Sequence, residues 1–280
     1  MKEKGLAKLN EMSNETQLKV VKKDGTLIQF INNPSEAVQI EAVKQNGLYI
    51  YYIENPSEVV QIEAVKKNWL ALKYIDNPSE QVKLEAVKKN GYAIEYIKNP
   101  SEQIKLEAVK QNGYVVKIIY NPSLEVQLAA VGRIGNAIYY IKNPSLEVQL
   151  EAVRCDGCAI YYIDNPSEQV KLEAIKQNAI SLKYIKNPSL EMQLIAIKQD
   201  AYNIEYIVNP SDYINSIVDV LDTNERTIYV LHEEGKEPLF SIGCQKNITK
   251  EYFMWRIYNL NGGLEENPYR QEYLDIINRY

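Results

Sequence analysis

The residues best suited to catalysis are few, and one group of them lies near the C-terminus. His232 is the only histidine among 280 residues, so any nucleophile–histidine catalysis must use it. The pattern places it at the end of a predicted strand, with Cys244 on or just past the partner strand and Trp255 on a following helix. A Cys244–His232 pair is the enzymatic or small-ligand alternative. A surface histidine with a half-buried cysteine is the reading that we favour.

A second group is the C-x-x-C pair formed by Cys155 and Cys158. Two thiolates fall short of the four ligands of a structural zinc site, and a redox pair needs a thioredoxin-like context. This pair lies instead inside a repeated array, where other repeats carry Lys, Gln, Leu or Tyr at the same positions. We therefore predict no metal and no cofactor. Three cysteines form no disulfide framework, which favours the cytoplasm.

The array is marked by proline. Nine of the 11 prolines recur every 22 residues, each within Asn-Pro-Ser, and such a period is typical of stacked repeats. We divide the chain into residues 1–32, an N-terminal segment with a degenerate capping repeat, and residues 33–208, eight complete repeats. A partial ninth repeat at 209–222 and a C-terminal element at 223–280 follow.

The sequence of each repeat predicts one helix followed by a second short segment. Positions within a repeat are counted from the Asn of Asn-Pro-Ser. Asn at position 1 predicts an N-cap, Pro at position 2 the first helical residue, and Glu at position 4 a capping box. The helix runs about 12 residues, and Gly at position 15 predicts its C-terminal stop. Positions 16–21 predict one or two turns of α or 3₁₀ helix, with a strand as the alternative. Ala at position 10 allows neighbouring helices to approach closely.

The C-terminal element predicts a hairpin and two helices. Residues 227–232 and 239–243 read as paired strands, one helix runs from Thr249 to Leu260, and another runs from Asn267 to Tyr280. The predicted fold class is therefore mostly α. It is an α-solenoid of about nine 22-residue repeats with a small C-terminal α+β element.

The stretch Asn-Pro-Ser-Leu-Glu-Val-Gln-Leu-Ala-Ala-Val at 121–131 resembles the second helix of a HEAT repeat and is similar to the variant leucine-rich repeat. The resemblance also extends to repeats of uncharacterised proteins from low-GC bacteria and their phages. It implies an α-solenoid. HEAT repeats build a ladder from an Asp cap and an Arg six residues later; Asn121 and Gln127 occupy those places here, which implies an Asn/Gln analogue. The N-terminus lacks the cysteines of the iron–sulfur site that variant leucine-rich proteins can carry.

Charge argues against two classes of partner. Lysine recurs at position 12, but Glu at position 9 of most repeats lies on the same helix face and offsets it. The net charge of −5, most of it from the C-terminal end, disfavours nucleic acid, which remains the alternative partner. No apolar run is long enough to span a membrane, and the first residues contain no signal-peptide core.

Aromatic residues indicate a protein partner. Tyr at position 20 recurs in seven repeats, which predicts packing between repeats, whereas Tyr51, Tyr139 and Tyr161 occupy position 19, elsewhere Lys or Glu. The fifth and sixth repeats also lose charge and gain exposed Leu and Arg, the composition of an interface core. The predicted binding patch contains Leu124, Gly132, Arg133, Tyr139, Leu146, Arg154 and Tyr161.

These features together predict a non-enzymatic repeat scaffold that binds a protein partner. The most specific version of this prediction is a phage- or bacterium-encoded adaptor or inhibitor of a host protein. A phage-encoded protein of this kind would act in the host cytoplasm. The alternatives are a nucleic-acid-binding solenoid, and a ligand-binding or enzymatic site around His232, Cys244 and Trp255.

Overall fold

The computed structural model describes residues 8–208, 210, 212–223, 226–242, 245–259 and 270–280. Helical repeats fill most of this range, and a small antiparallel sheet with two further helices follows, which confirms the predicted fold class. The chain forms two compact units, Met1–Lys142 and Asn143–Tyr280. Among the described residues no helix combines the length and the apolar character needed to cross a bilayer.

The first unit contains six repeats of one α-helix and one 3₁₀ helix, preceded by a short 3₁₀ helix, Lys8–Glu11. The α-helices are α1 (Asn14–Lys23), α2 (Glu36–Gln45), α3 (Glu58–Lys67), α4 (Glu80–Lys89), α5 (Glu102–Gln111) and α6 (Leu124–Arg133). Their 3₁₀ helices are Gly25–Phe30, Gly47–Tyr52, Trp69–Tyr74, Gly91–Tyr96, Gly113–Ile118 and Gly135–Tyr140. The first of these repeats lacks Asn-Pro, yet it has the same two helices as the others.

The second unit contains three repeats and the C-terminal element. Its repeats comprise α7 (Leu146–Cys155), α8 (Glu168–Gln177) and α9 (Leu190–Gln199), with 3₁₀ helices Gly157–Tyr162, Ala179–Tyr184 and Ala201–Tyr206. The chain continues through α10 (Asp212–Ile217), β1 (Val218–Asp222), β2 (Thr227–Leu231), β3 (Leu239–Ile242), β4 (Gln245–Thr249), α11 (Lys250–Asn259) and α12 (Arg270–Ile277).

The N-cap of each repeat helix is Ser at position 3, so the predicted Asn cap is wrong. In the third Asn-Pro repeat the hydroxyl of Ser79 accepts the N–H of Val82 at 3.3 Å, and α4 begins at Glu80. Asn77 lies two residues earlier with a φ of 48°, and the Asn-Pro asparagines of all eight complete repeats have left-handed backbones. Asn tolerates this conformation better than most residues, so it turns the chain from one repeat into the next.

Glu at position 4 does not form a capping box; its carboxylate joins neighbouring repeats. Glu36 Oε2 accepts the hydroxyl hydrogen of Ser57, the N-cap of the next helix, at an O···O distance of 2.6 Å. The same bond recurs through the first unit, and we call the set the serine–glutamate ladder: Ser57–Glu36, Ser79–Glu58, Ser101–Glu80 and Ser123–Glu102. Each of these four serines therefore acts twice, as cap and as cross-link.

Small residues allow the repeats to stack closely. Ala at position 10 is fully buried in all eight complete Asn-Pro repeats, with Val or Ile at position 11 beside it. A Cβ on Gly47 at position 15 would lie 2.2 Å from the carbonyl oxygen of Ala64 in the next repeat. Gly47 does not have a left-handed φ. The helix ends just before this glycine, as predicted, but the glycine is required by close approach between repeats and not by a left-handed backbone.

Glutamine forms a ladder at a different position from the one that the resemblance implied. Gln127 at position 7 donates to the carbonyl of Pro122 in its own repeat at 2.9 Å. At position 13 the side chain crosses between repeats: Gln45 Oε1 accepts the N–H of Gly25 at 2.8 Å, and its Nε2 donates to the carbonyl of Val21 at 2.6 Å. Buried backbone groups at the junction are thereby satisfied.

The C-terminal sheet has the order β1-β2-β3-β4, all antiparallel. The predicted hairpin is confirmed as β2 and β3, but β1 and β4 were not predicted. Strand β1 lies in the segment assigned to the ninth repeat, where α10 ends early. Ile228, Val230 and Phe240 of the sheet pack against Phe253 of α11 and Ile277 of α12 in one core.

The sheet packs on the last repeat. Asn247 in β4 accepts the N–H of Ala201 at 3.1 Å through Oδ1 and donates to the carbonyl of Lys198 at 2.9 Å through Nδ2. An ion pair between Lys198 and Glu233, with 3.1 Å between Nζ and Oε1, adds to this contact. The C-terminal element therefore covers the end of the repeats in the second unit, as a terminal cap must.

Candidate functional site

Four members of the predicted patch lie in the first unit, and α6 separates them. Leu124 opens this helix with 47% of its surface exposed, while Gly132 and Arg133 are exposed at the other end. At 1.5 Å per residue the two ends are about 14 Å apart. Tyr139 lies on the following 3₁₀ helix, where it is 64% exposed. The exposure of these residues agrees with a binding role, but they do not form one cluster.

The other three members lie in the second unit. Leu146 is exposed at the start of α7, and Arg154 lies at its far end. The guanidinium Nε of Arg154 donates to Glu173 Oε1 of the next repeat at 2.9 Å, and this bond raises the pKa of Arg154. Arg154 thus has an intramolecular partner. Tyr161 is exposed on the 3₁₀ helix Gly157–Tyr162.

Tyrosines on the 3₁₀ helices form exposed rows, which corrects the prediction that position 20 is core. We call the exposed tyrosines at positions 19 and 20 of the first unit the first tyrosine row: Tyr51, Tyr52, Tyr74, Tyr96, Tyr139 and Tyr140. Buried side chains of these short helices lie at position 18, for example Ile50, and in most repeats also at position 17, for example Ala71. Because a 3₁₀ helix has three residues per turn, the residues just after position 18 turn towards solvent.

Ring contacts link members of the first tyrosine row. The ring of Tyr51 lies edge-on to Tyr52 and to Tyr74 of the next repeat, each with 5.3 Å between centroids. The rings of Tyr139 and Tyr140 are in a similar edge-on contact at 5.0 Å. Edge-to-face pairs of this kind hold the rings in place while leaving surface exposed to a partner.

The second unit has a shorter row of the same kind. Tyr161 contacts Tyr162 at 5.0 Å and Tyr184 of the next repeat at 5.1 Å, measured between ring centroids. The ammonium of Lys183 lies 4.7 Å from the centre of the Tyr184 ring, within cation–π range. Tyr206 at the end of the array is half-buried.

Three recesses lie beside the first tyrosine row, one at each junction between successive repeats from the first Asn-Pro repeat to the fourth. Each is walled by the end of one 3₁₀ helix and by the Asn-Pro turn that leads into the next α-helix. Their volumes are about 610, 450 and 530 Å³ in chain order. The middle recess is lined by Lys73, Lys83, Lys98 and Tyr96, together with Asp76 and Pro78.

The C-terminal alternative is only partly described. Cys244 lies outside the described residues, so the Cys244–His232 pair remains a prediction. His232 Nε2 is instead 3.0 Å from Asp219 Oδ2, and the hydroxyl of Tyr280 donates to the same oxygen at 2.6 Å. The Tyr280 bond, helped by His232, lowers the pKa of Asp219, while burial raises the pKa of Tyr280 to about 12. Trp255 is exposed on α11 and stacks on Tyr252 at 5.9 Å.

The two cysteines of the C-x-x-C pair differ in exposure. Cys155 is exposed at the end of α7, and Cys158 is half-buried, where it accepts a long contact from Asn178 at 3.7 Å. Burial raises the pKa of Cys158, which keeps it in the thiol form. Within the described ranges, no three His, Cys, Asp or Glu residues are grouped so that they could hold a metal ion.

Sequence reasoning missed the lysine-lined recess. Its signal was present at position 7, where Lys83 and Lys105 replace the Gln of the neighbouring repeats. The second missed feature is the exposure of position 20, since repetition alone does not distinguish a buried column from an exposed row. Compared with known proteins, the chain matches no protein-family model, and neither a curated protein nor a solved structure is similar to it.

Proposed function

We propose that this chain is a repeat scaffold that binds another protein through its exposed tyrosine rows, chiefly the first. The observation that carries the proposal is the exposure of Tyr51, which at 65% is high for an aromatic ring held in contact with two neighbours. Tyr139 and Tyr161, the tyrosines of the predicted patch, occupy the same position in their own repeats.

Tyrosine rows suit protein binding for physical reasons. Tyrosine buries a large apolar area, loses little side-chain entropy on binding and offers a hydroxyl for hydrogen bonding, which explains its enrichment at interface hot spots. The rows stand on stacked repeats whose buried core and cross-repeat hydrogen bonds hold them rigid. A surface organised before binding avoids part of the ordering cost of association.

Nucleic acid is less well supported as the partner. Lys110 on the outer helix face belongs to the lysine column at position 12, but that face also carries Glu107, and Glu85 pairs with Lys88 at 3.1 Å in the preceding repeat. A phosphate track requires lysines and arginines that are not neutralised within the protein. The Lys–Glu pairing fits a solvated face better than such a track.

The test is differential capture from a lysate of the source organism, followed by quantitative mass spectrometry. The full chain is compared with a Tyr51→Ser/Tyr74→Ser variant and with a Val59→Ser control, since Val59 is an exposed apolar residue on α3. The proposal predicts proteins that are captured by the wild type and by the control but not by the tyrosine variant. Tyr139→Ser and Tyr161→Ser test the predicted patch in the same assay.

Two results of this experiment would count against the proposal. Capture that is identical for the wild type and the tyrosine variant would remove the first tyrosine row as the binding surface. If nuclease treatment of the lysate abolishes capture, the partner is reached through nucleic acid, and the alternative function is favoured.

A further inference from the structure

The middle recess of the first unit is more basic than its neighbours. Three ammonium groups, those of Lys73, Lys83 and Lys98, line it against one carboxylate, that of Asp76. In the part of the chain that the structure describes, no carboxylate lies within ion-pair distance of Lys73 or Lys98. The lining therefore carries more positive than negative charge, although Lys73 lies 5.8 Å from the centre of the Tyr74 ring and Lys83 has one distant ion-pair partner.

Lys83 is the most informative of the three lysines. Only 25% of its side chain is exposed, so the protein has already covered most of its stem. Its nearest carboxylate oxygen, on Glu80, is 3.8 Å away, and that carboxylate also accepts the hydroxyl of Ser101. Gln61 at the same position of the preceding repeat is bound to the carbonyl of Pro56 at 2.8 Å. The exchange of Gln for Lys thus puts an under-neutralised ammonium where the preceding repeat has a satisfied amide.

The flanking recesses lack this excess of positive charge, since one is lined by two carboxylates and one ammonium group and the other by one of each. Glu54 and Asp76 line the recess on one side together with Lys73, and Glu95 lines the recess on the other side together with Lys105. A polyanion with a charge at every unit, such as a single-stranded nucleic acid, would place phosphates against Glu54 and Glu95. A ligand with one acidic group at the centre and uncharged groups on both sides meets no such repulsion.

The spacing of the recesses suggests an extended ligand. Stacked helices lie about 8–10 Å apart, and an extended peptide advances about 3.3 Å per residue, so about three peptide residues correspond to one repeat. Pro78 and Tyr96 give the middle recess apolar walls beside its lysines. A peptide segment of about nine residues would therefore cover all three recesses and contact Tyr51, Tyr74 and Tyr96 of the first tyrosine row.

We propose that the first unit binds an extended segment of its protein partner, and that an aspartate or glutamate of that segment is held in the middle recess by Lys73, Lys83 and Lys98. This inference rests on the proposed function and specifies the chemistry of the partner. The carboxylate replaces the missing counter-charge, while uncharged apolar or aromatic residues on either side lie against the tyrosines.

The test is selection of a random 12-residue peptide display library on the immobilised full chain. The recovered peptides are synthesised, and their affinities are measured by fluorescence anisotropy. The variant Lys73→Glu/Lys83→Glu/Lys98→Glu removes the recess charge. Lys44→Glu/Lys66→Glu/Lys110→Glu is the matched control, because these exposed lysines lie on the outer helix faces. Lys83→Gln is the conservative variant, since Gln39 and Gln61 occupy the same position in the two preceding repeats.

We expect the recovered peptides to share one acidic residue flanked by uncharged ones. Their affinity should fall about tenfold or more in the recess variant, fall measurably in Lys83→Gln and change little in the control, because like charge is repelled only at close range. Replacement of the shared acidic residue by its amide should cause a similar loss with the wild-type protein.

Several results would overturn the proposal. One is recovery of peptides that depend on Tyr51 and Tyr74 but have no acidic preference, which would leave the proposed function standing. Equal losses of peptide affinity in the recess variant and the control would show that binding depends on the overall charge of the protein and not on the recess. Competition by a single-stranded oligonucleotide that requires Lys83 would assign the recess to nucleic acid. Recovery of no peptide that depends on the tyrosines would count against both the inference and the proposed function.

Discussion

The side-chain amide of Asn247 binds the backbone at Ala201 in the same way that Gln199 binds it at Ala179. Each side-chain oxygen accepts the N–H at position 15 of a repeat, at 3.1 Å for Asn247 and 3.2 Å for Gln199. Each side-chain nitrogen donates to the carbonyl at position 12 of that repeat. Strand β4 thus presents to the last repeat the amide that the helix of a following repeat would present. The sheet therefore ends the array with the same hydrogen bonds that a following repeat would make.

The first prediction tests this capping contact with Asn247→Gly. Glycine keeps the left-handed backbone of this residue, whose φ is 42°, and removes only the amide. Loss of the amide leaves backbone groups at Ala201 and Lys198 unpaired, so we expect local stability to fall by about 1–3 kcal/mol. The measurement is hydrogen exchange of the amides in Ala201–Tyr206.

Asn215→Ala is the control, because this exposed amide makes only a marginal contact of 3.5 Å with Pro210. We expect no change in exchange at Ala201–Tyr206 in that variant. Unaltered hydrogen-exchange protection at Ala201–Tyr206 in Asn247→Gly would contradict the capping role. The C-terminal element would then contact the last repeat without stabilising it.

The second prediction concerns the double role of serine in the serine–glutamate ladder. Ser79 caps α4 and also donates to Glu58, whereas Ser167 caps α8 in the same way but follows a repeat with Leu146 at position 4. We expect Ser167→Ala to cost about 1 kcal/mol, the typical value of a cap. Ser79→Ala should cost a further 0.5 kcal/mol or so, since the ladder bond is exposed.

Urea unfolding followed by circular dichroism measures both changes, and hydrogen exchange assigns each loss to its own helix. A Glu58→Gln variant isolates the contribution of the charge to the ladder bond, because its amide oxygen still accepts the hydroxyl of Ser79. Equal destabilisation by Ser79→Ala and Ser167→Ala would show that the ladder bond contributes nothing to stability.

The third prediction is the titration of Asp219. Its pKa is lowered below the usual value of 3.8, first by the hydroxyl of Tyr280 and then by His232. The contribution of the carboxylate to stability is therefore fully present above pH 3.8 and is lost as the pH falls through the folded-state pKa. Carboxyl NMR titration measures this value directly.

Tyr280→Phe should raise the pKa of Asp219 towards its usual value, because the main hydrogen bond to the charged form is removed. His232→Gln should raise it by less. A wild-type Asp219 that titrates at or above its usual value would show that the Tyr280 contact does not persist in solution.

The fold was largely predictable, because its main determinants are local and repeated. Period, helix content and the β2–β3 hairpin follow from Asn-Pro-Ser spacing, amphipathic pattern and turn residues. The N-cap was misassigned because Asn and Ser are both good caps and only two residues apart. Ser13 indicates the correct cap, because the first repeat lacks Asn-Pro but retains this serine, which caps α1.

Features that depend on contacts between repeats were not predictable from a single repeat. The closeness of Gly47 to Ala64, the crossing of Gln45 and the ladder bond of Glu36 all join residues about 17 to 24 positions apart. The polar strand β4 was missed because Asn247 reads as a turn residue. The side chain of Asn247 instead makes a hydrogen bond with the last repeat.

The candidate site was predictable in composition more than in geometry. Tyr51, Tyr139 and Tyr161 were singled out because they replace charged residues, and all three are exposed. The predicted patch extends along the whole helix, since Leu124 and Arg133 lie at opposite ends of α6. The middle recess depends on the stacking of two repeats, so no single repeat displays it.

The most direct test of the central claim is calorimetric titration of the captured partner against three full-length proteins. These are the wild type, Tyr51→Ser/Tyr74→Ser and Val59→Ser. The account predicts a Kd that rises at least about tenfold in the tyrosine variant, the loss expected when hot-spot rings are removed, and a Kd unchanged in the Val59→Ser control. Equal Kd values for the wild type and the tyrosine variant would contradict it.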